Sequence, residues 1–271
     1  MNRLAVALGV TAAVILTACG DDAVRDSAEP PVGSSDASVD GTTTRWTVEI
    51  VRELPHDPQA FTQGLELFEG RLFESTGRES TLRELDPATG EVVALVTLEQ
   101  PLFGEGLTVI DGEIIQLTWR DGRALRWDVD TLEPVGEFGY AGEGWGICAL
   151  GDELVMSDGT PVLTRRDPVT FAPLDTVTVR RDGEPVALLN ELECLDDGTI
   201  LANVWKADEI VMIDPASGAV VGTVDASVLR ETVNPTSASD VLNGIADLGD
   251  GTFLLGGKNW DRHFVVRLVP R

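Results

Sequence analysis

Gln63-Gly64-Leu65-Glu66-Leu67 decides the fold because the chain repeats it. The later copies are Glu105-Gly106-Leu107-Thr108-Val109, Trp145-Gly146-Ile147-Cys148-Ala149, Asn190-Glu191-Leu192-Glu193-Cys194 and Asn243-Gly244-Ile245-Ala246-Asp247. Each copy opens on a side chain able to hydrogen-bond or stack, runs into a short apolar strand, and reaches a Gly/Asp turn and a second strand. Aligned on Gly64, Gly106, Gly146, Glu191 and Gly244, the copies are spaced by 42, 40, 45 and 53 residues. A four-stranded propeller blade takes roughly 40–50 residues, so the period predicts one blade per copy.

The local pattern agrees. Arg71-Leu72-Phe73-Glu74-Ser75, Ala124-Leu125-Arg126-Trp127-Asp128 and Glu209-Ile210-Val211-Met212-Ile213 are short and rich in β-branched and aromatic residues, as strands are. Glu69-Gly70, Asp111-Gly112, Gly151-Asp152, Asp197-Gly198 and Asp250-Gly251 fall between first and second strands, where hairpin turns want such pairs. Later turns open at Asp86-Pro87, Asp128-Val129, Asp167-Pro168 and Asp214-Pro215. The fifth copy ends with Phe264-Val265-Val266-Arg267-Leu268 as its third strand, while a spare alternating strand, Trp46-Thr47-Val48-Glu49-Ile50, precedes the first copy. Pairing the spare strand with the last copy would leave no open edge. The expectation is an all-β chain: a five-bladed β-propeller over residues 45–271, closed by its N-terminal strand.

The two ends carry different information. Arg3 followed by an apolar run from Leu4 to Leu16 is too short for a membrane span and suits a signal peptide over residues 1–18. It ends Leu16-Thr17-Ala18-Cys19-Gly20, similar to a bacterial lipobox, a likeness that implies a lipid on Cys19 and an exported, envelope-anchored protein held to the membrane through that lipid alone. Residues 19–44 are mostly Asp, Ser, Pro, Gly and Thr, too polar to offset their own ordering entropy, and read as a flexible tether. The net charge is −26, from 46 acidic and 20 basic residues, which excludes nucleic acid as a natural partner. With Cys19 spent on lipid, Cys148 and Cys194 remain; they read equally well as a disulfide or as two buried thiols. Nothing calls for a second subunit, so a monomer is expected.

In an antiparallel blade the start of the first strand and the end of the second share one rim. That rim collects Gln63, Glu105, Trp145, Asn190 and Asn243 from strand starts, and Gly77, Trp119, Gly159, Trp205 and Lys258 from second-strand ends, 13 or 14 residues after each anchor. Aromatic walls with a few placed polar groups are the composition of a ligand pocket. Glu105, among indoles and carboxamides, is the candidate general acid/base, because such shielding raises a carboxyl pKa; Lys258 is placed to donate to a carbonyl oxygen. Other chemistries fall away. The two histidines, His56 and His263, have no partner at ligand spacing, so a histidine-built zinc site is not expected. No nucleophile elbow supports a Ser/His/Asp hydrolase, and the glycines near Gly144 belong to the rim rather than to a phosphate loop. No metal or cofactor is expected.

Seven ordered phrases give the rim a family likeness: Phe61-Thr62-Gln63-Gly64-Leu65, Phe103-Gly104-Glu105-Gly106-Leu107, Leu117-Thr118-Trp119, Glu143-Gly144-Trp145-Gly146, Leu189-Asn190-Glu191-Leu192-Glu193, Ala202-Asn203-Val204-Trp205 and Leu242-Asn243-Gly244-Ile245-Ala246. The chain resembles the plant and bacterial glutaminyl-peptide cyclotransferases of the five-bladed type, from about Phe61 to Trp260. It departs at Gly256-Gly257-Lys258-Asn259-Trp260-Asp261, where the family has Thr-Gly-Lys-Leu-Trp-Pro. The resemblance implies conversion of N-terminal glutamine to pyroglutamate with loss of ammonia, without zinc, on a peptide or protein with a free N-terminal Gln. It implies Phe61, Gln63, Phe103, Glu105, Trp119, Trp145, Asn190, Trp205 and Lys258 as pocket residues. From group chemistry, Glu105 would shuttle the proton, Gln63, Asn190 and Lys258 would orient the amide or hold the developing oxyanion, and Phe61, Phe103 and the tryptophans would line the substrate. The competing reading is a non-catalytic envelope propeller that binds a peptide or sugar at this rim. A quinone-dependent dehydrogenase would want more blades and a cation site, and the sequence offers neither.

Overall fold

The computed structural model describes residues 43–233 and 240–271. The signal peptide, Cys19 and almost all of the tether lie outside the described residues; Thr44, the last tether position, already belongs to a strand. Among the described residues no helix is long and apolar enough to cross a membrane.

β1 (Thr44–Pro55) comes first, longer than the alternating stretch around Trp46 suggested. Four strands then pair in chain order: β2 (Phe61–Phe68), β3 (Arg71–Gly77), β4 (Thr81–Leu85) and β5 (Val92–Thr97). The next set is β6 (Gly104–Ile110), β7 (Glu113–Thr118), β8 (Arg123–Asp128) and β9 (Pro134–Gly139); the third is β10 (Ile147–Leu150), β11 (Glu153–Met156), β12 (Val162–Arg166) and β13 (Pro173–Thr178). A small hairpin, β14 (Arg180–Arg181) and β15 (Glu184–Pro185), precedes β16 (Leu189–Cys194), β17 (Ile200–Val204), β18 (Glu209–Ile213) and β19 (Val220–Asp225). After the short helix α1 (Ser227–Val233) come β20 (Leu242–Asp247), β21 (Phe253–Gly257) and β22 (Arg262–Pro270). The chain is all-β, with α1 its one helix among the described residues; at seven residues burying only Leu229, it is too short to leave a stripe in the sequence.

β1 runs antiparallel to β22 from Trp46↔Pro270 to Pro55↔Arg262, and parallel to β19 from Thr44↔Gly222 to Thr47↔Asp225. The last set thus gains a fourth strand from the start of the domain. The turns form as their sequences require: Glu69-Gly70 and Asp111-Gly112 have positive φ at both residues, the type I′ hairpin geometry. Asp86 Oδ1 accepts from the backbone N–H groups of Ala88 and Thr89, and Asp167 and Asp214 cap their turns in the same way.

The core lies between neighbouring sets. Phe73 and Leu82 pack with Leu107 and Ile114; Ile115 and Leu117 with Ile147 and Leu154; Val155 and Leu163 with Leu192 and Ile200. Leu201 and Ile210 pack with Ile245 and Leu255, and Ala246 and Leu254 close back on Leu65 and Leu72. The first strands also contact one another in cyclic order, β2 to β6 to β10 to β16 to β20 and back to β2. Gly106 and Gly146 show how tightly: a Cβ on Gly106 would sit 2.7 Å from the Gly146 Cα, and one on Gly146 would sit 2.1 Å from the Asn190 carbonyl oxygen. Cys148 and Cys194, one on β10 and one on β16, form a disulfide with their Cα atoms 5.5 Å apart, which resolves the two readings left open by the sequence.

Candidate active site

Four of the five first strands break register at the repeat anchor. The β2–β3 ladder shifts between Thr62 and Gly64, β6–β7 between Gly104 and Leu107, β16–β17 between Leu189 and Leu192, and β20–β21 between Leu242 and Ile245. A bulge bends the strand and re-aims a side chain, and here the shifted positions carry Gln63, Glu105, Asn190 and Asn243. In the third set Trp145 precedes β10, its backbone N–H donating to the Ser157 carbonyl and its carbonyl accepting from Gly106 N–H.

All of these side chains except Asn243 meet in a cavity of about 260 Å³ lined by Phe61, Gln63, Arg78, Phe103, Glu105, Trp119, Trp145, Asn190, Trp205 and Lys258. Every pocket residue inferred from the sequence is among them. Of the other rim positions, Gly77 and Gly159 lie behind the aromatics. A Cβ on Gly77 would strike the Phe103 ring at 2.3 Å and one on Gly159 the Trp145 indole at 2.7 Å, so the absent side chains make room for the walls. The walls are continuous: Phe61 meets Phe103 edge-on at 6.2 Å, Phe103 lies 5.7 Å from Trp119, and Trp145 meets Trp205 edge-on at 5.4 Å between centroids.

Glu105 is 5% exposed. Burial pushes its carboxyl up to about 8, opposed by the Lys258 charge and reinforced by that of Glu143. Burial likewise brings Lys258 down to about 8, with Glu105 pulling the other way. Gln63 Nε2 donates to Glu105 Oε1 at 3.1 Å, and Gln63 Oε1 in turn accepts from Asn243 Nδ2 at 3.4 Å. Asn243 therefore fixes the amide orientation that turns the Gln63 donor toward the carboxylate. Asn190 is buried and its Oδ1 has no hydrogen-bond partner, an acceptor held ready at the wall of a cavity, where an unsatisfied atom calls for a ligand or water. The sequence missed Arg78, whose guanidinium carbon stacks 3.9 Å above the Phe61 ring, and the carboxylate of Glu143, which accepts from two of the indoles. Proximity to the Trp145 phrase was the only signal for Glu143, and adjacency to the rim position Gly77 the only one for Arg78.

The fold gives the two histidines a partner that their sequence spacing did not show. His56 and His263 stack with ring centroids 3.8 Å apart, and with Glu74 they are the one group of possible metal ligands among the described residues, their ligand atoms within 4.8 Å of one another. The fold joins residues that no local spacing could join. His56 Nδ1 donates to the Trp260 carbonyl at 2.8 Å, its Nε2 lies 2.9 Å from Glu74 Oε1, and Arg83 stands 3.7 Å from Glu74 Oε2, while neither ring nitrogen of His263 has a hydrogen-bond partner. Burial alone would raise Glu74, but the His56 charge and hydrogen bond outweigh it and hold the carboxyl down at about 2. None of the three lines the cavity.

Comparison with known proteins places this geometry. The family profile described as glutamine cyclotransferase matches residues 26–268. The chain belongs to that family. It is 38% identical over 243 residues to a glutaminyl-peptide cyclotransferase of Arabidopsis thaliana, a match covering 87% of this chain and 75% of the plant protein. It also resembles the crystal structure of Myxococcus xanthus glutaminyl cyclase, with a TM-score of 0.81 and 42% identity, covering 84% of this chain and 99% of the bacterial one.

Proposed function

We propose that the cavity around Glu105 is where an N-terminal glutamine is bound and cyclised. Family membership carries the activity: the enzyme is a glutaminyl-peptide cyclotransferase that turns the N-terminal Gln of a peptide or protein into pyroglutamate with release of ammonia. The observation that supports the site is a lone buried carboxylate sharing an aromatic-walled cavity with a buried ammonium and two carboxamides.

The chemistry asks for three things. The free α-amine must attack the γ-carboxamide carbon, the carbonyl oxygen must be held as it gains charge, and a proton must pass from the attacking nitrogen to the departing one. In our reading Glu105, poised near 8, takes the proton as the ring C–N bond forms and returns it to the amide nitrogen as the old C–N bond breaks, so that ammonia leaves and the carboxylate is regenerated. Lys258, protonated below about 8, is the natural donor to the oxyanion. Gln63 holds Glu105 in place, Asn190 Oδ1 accepts from the substrate's N–H groups, and Phe61, Phe103, Trp119, Trp145 and Trp205 exclude water. Incubating the protein with a Gln-initiated peptide should release ammonia, and blocking the α-amine should stop the release. Glu105→Gln should fold normally and lose 10²-fold or more in turnover, the usual scale of general acid–base catalysis; near-normal turnover would remove the shuttle.

The architecture we propose is a five-bladed β-propeller with β1 as the outer strand of the last blade. Its support is the cyclic order of first strands and the core clusters that bury each set on the next. We also propose a monomer exported to the bacterial envelope and tethered by lipid on Cys19. The lipobox-like Leu16–Cys19 segment supports the anchor, and the Cys148–Cys194 disulfide suits an oxidising compartment.

A further inference from the structure

We propose that Glu143 is a positioning residue for this reaction, clamping the indoles of Trp119 and Trp145 so that they present a fixed wall to the glutaminyl end. The inference rests on the site reading above. Glu143 Oε2 accepts from Trp119 Nε1 at 2.8 Å and from Trp145 Nε1 at 3.0 Å, while Oε1 accepts from Arg120 Nε at 2.8 Å. Trp119 follows β7 and Trp145 precedes β10, so a single carboxylate staples two neighbouring sets of strands at the mouth. The Arg120 guanidinium carbon lies 3.7 Å from the centre of the Trp119 ring, completing a three-sided hold on that indole.

Each tryptophan steadied by Glu143 touches another wall residue: Trp119 lies against Phe103, and Trp145 against Trp205. One clamp therefore orders both halves of the wall. An indole N–H can only donate, and an ionised carboxylate is the acceptor best able to take several donors at once. Burial alone would raise the Glu143 carboxyl; the bonds from Trp145, Arg120 and Trp119 keep it below its ordinary value, so it stays charged and able to accept. Its charge also reaches Glu105, adding to the upward push of burial there.

Freeing two half-buried indoles means that substrate must order them on binding, and the lost side-chain freedom weakens affinity. Glu143→Ala should accordingly raise KM for a Gln-initiated peptide by about tenfold, and weaken the indole bands in near-UV circular dichroism. Glu143→Gln keeps an oxygen for the indoles but no charge. It should recover most of the KM while moving the acid limb of the kcat–pH profile to lower pH, since a charge that raised the Glu105 pKa is gone. Loss of turnover in Glu105→Gln tests the underlying site reading, and the Glu143 variants are judged only once it is seen. The indole bands report on the clamp even without turnover. A KM within twofold of wild type in Glu143→Ala, or a lowered melting temperature with KM and pH profile unmoved in both variants, overturns the proposal.

Discussion

Glu105 and Lys258 are each expensive to bury and each lessens the other's cost. Burial raises the carboxyl and lowers the ammonium until both stand near 8, so proton acceptance by Glu105 grows above that value while donation by Lys258 fades above it. The product of the two is a bell-shaped kcat–pH profile centred near pH 8. Replacing Lys258 with Met should lower kcat by about 10²-fold, the scale of a lost oxyanion donor, and erase the basic limb. It should also move the acid limb upward, because the Lys258 charge was holding the Glu105 pKa down. An acid limb that stays put in Lys258→Met would mean that it belongs to a group other than Glu105, one that the Lys258 charge does not reach. At this scale most of the candidate pocket was legible, because repeat positions place chemically different side chains at equivalent points of one rim: Gln63, Glu105 and Asn190 are the same residue of the first, second and fourth copies. Arg78 and the His56–Glu74–His263 group were not legible. Their contacts join distant parts of the chain, and periodicity says nothing about which outlying side chain folds back onto a wall.

The first strands explain why the repeat has the spelling it has. A bulge at each of four anchors re-aims a polar residue, Gln63, Glu105 and Asn190 into the cavity and Asn243 onto Gln63 behind it, and the glycines beside Gln63 and Glu105 let neighbouring strands approach until their backbones touch. Gly106 shows the coupling, since a Cβ there would sit 2.7 Å from the Gly146 Cα and 2.8 Å from the Trp145 carbonyl oxygen. Backbone cannot yield as a flexible side chain can, so Gly106→Ala must displace β6 or the Trp145 segment, with Glu105 adjacent to the disturbance. The expected cost is about 1–3 kcal/mol of stability from overpacking, together with a fall of about 10²-fold in kcat, as for a catalytic group misplaced by roughly 1 Å. Gly139→Ala, on the outer strand β9 with nothing within 4 Å of the added carbon, should change neither and serves as the control. Comparable turnover in the two variants would show that the close approach does not hold Glu105 in place. The strands and their turns were readable from hairpin pairs and alternation, and the anchor Gly was visible as a mark of the repeat. Gly stands at four of the five anchors, with Glu191 at the fourth; the reason for it was not visible, because close approach between copies is a property of their packing and not of any one copy. The helix α1 escaped notice for a related cause: burying only Leu229, it has no face to advertise.

At the scale of the whole molecule the first strand and the last are one structure. β1 pairs along β22 for most of its length and touches β19 at its start; it buries Val48 and Leu54 in the clusters that join the fifth set to the fourth and to the first. His56, just beyond it, carries the bonds to Glu74 on β3 and to the Trp260 carbonyl. A chain beginning at Thr43 should therefore keep the melting temperature and turnover of the full-length protein, whereas one beginning at Asp57 loses β1 and His56 together. Two buried aliphatic side chains are worth about 1.5–3 kcal/mol each, and removing His56, the nearer of the two cations facing the buried Glu74, costs about 3–5 kcal/mol more. At roughly 2–4 °C per kcal/mol for a domain of this size, the shorter chain should melt at least about 12 °C lower. The β22 edge it bares is a template for pairing with other chains, so it should also aggregate on sizing columns at concentrations where the longer chain runs as a single species. Glu74→Gln in the longer chain separates the two causes. It removes the ion pair and leaves the strand, so it should lower the melting temperature without promoting aggregation. A chain from Asp57 that melts with the full-length protein and stays dispersed would show that β1 is an ornament on a fold that closes without it.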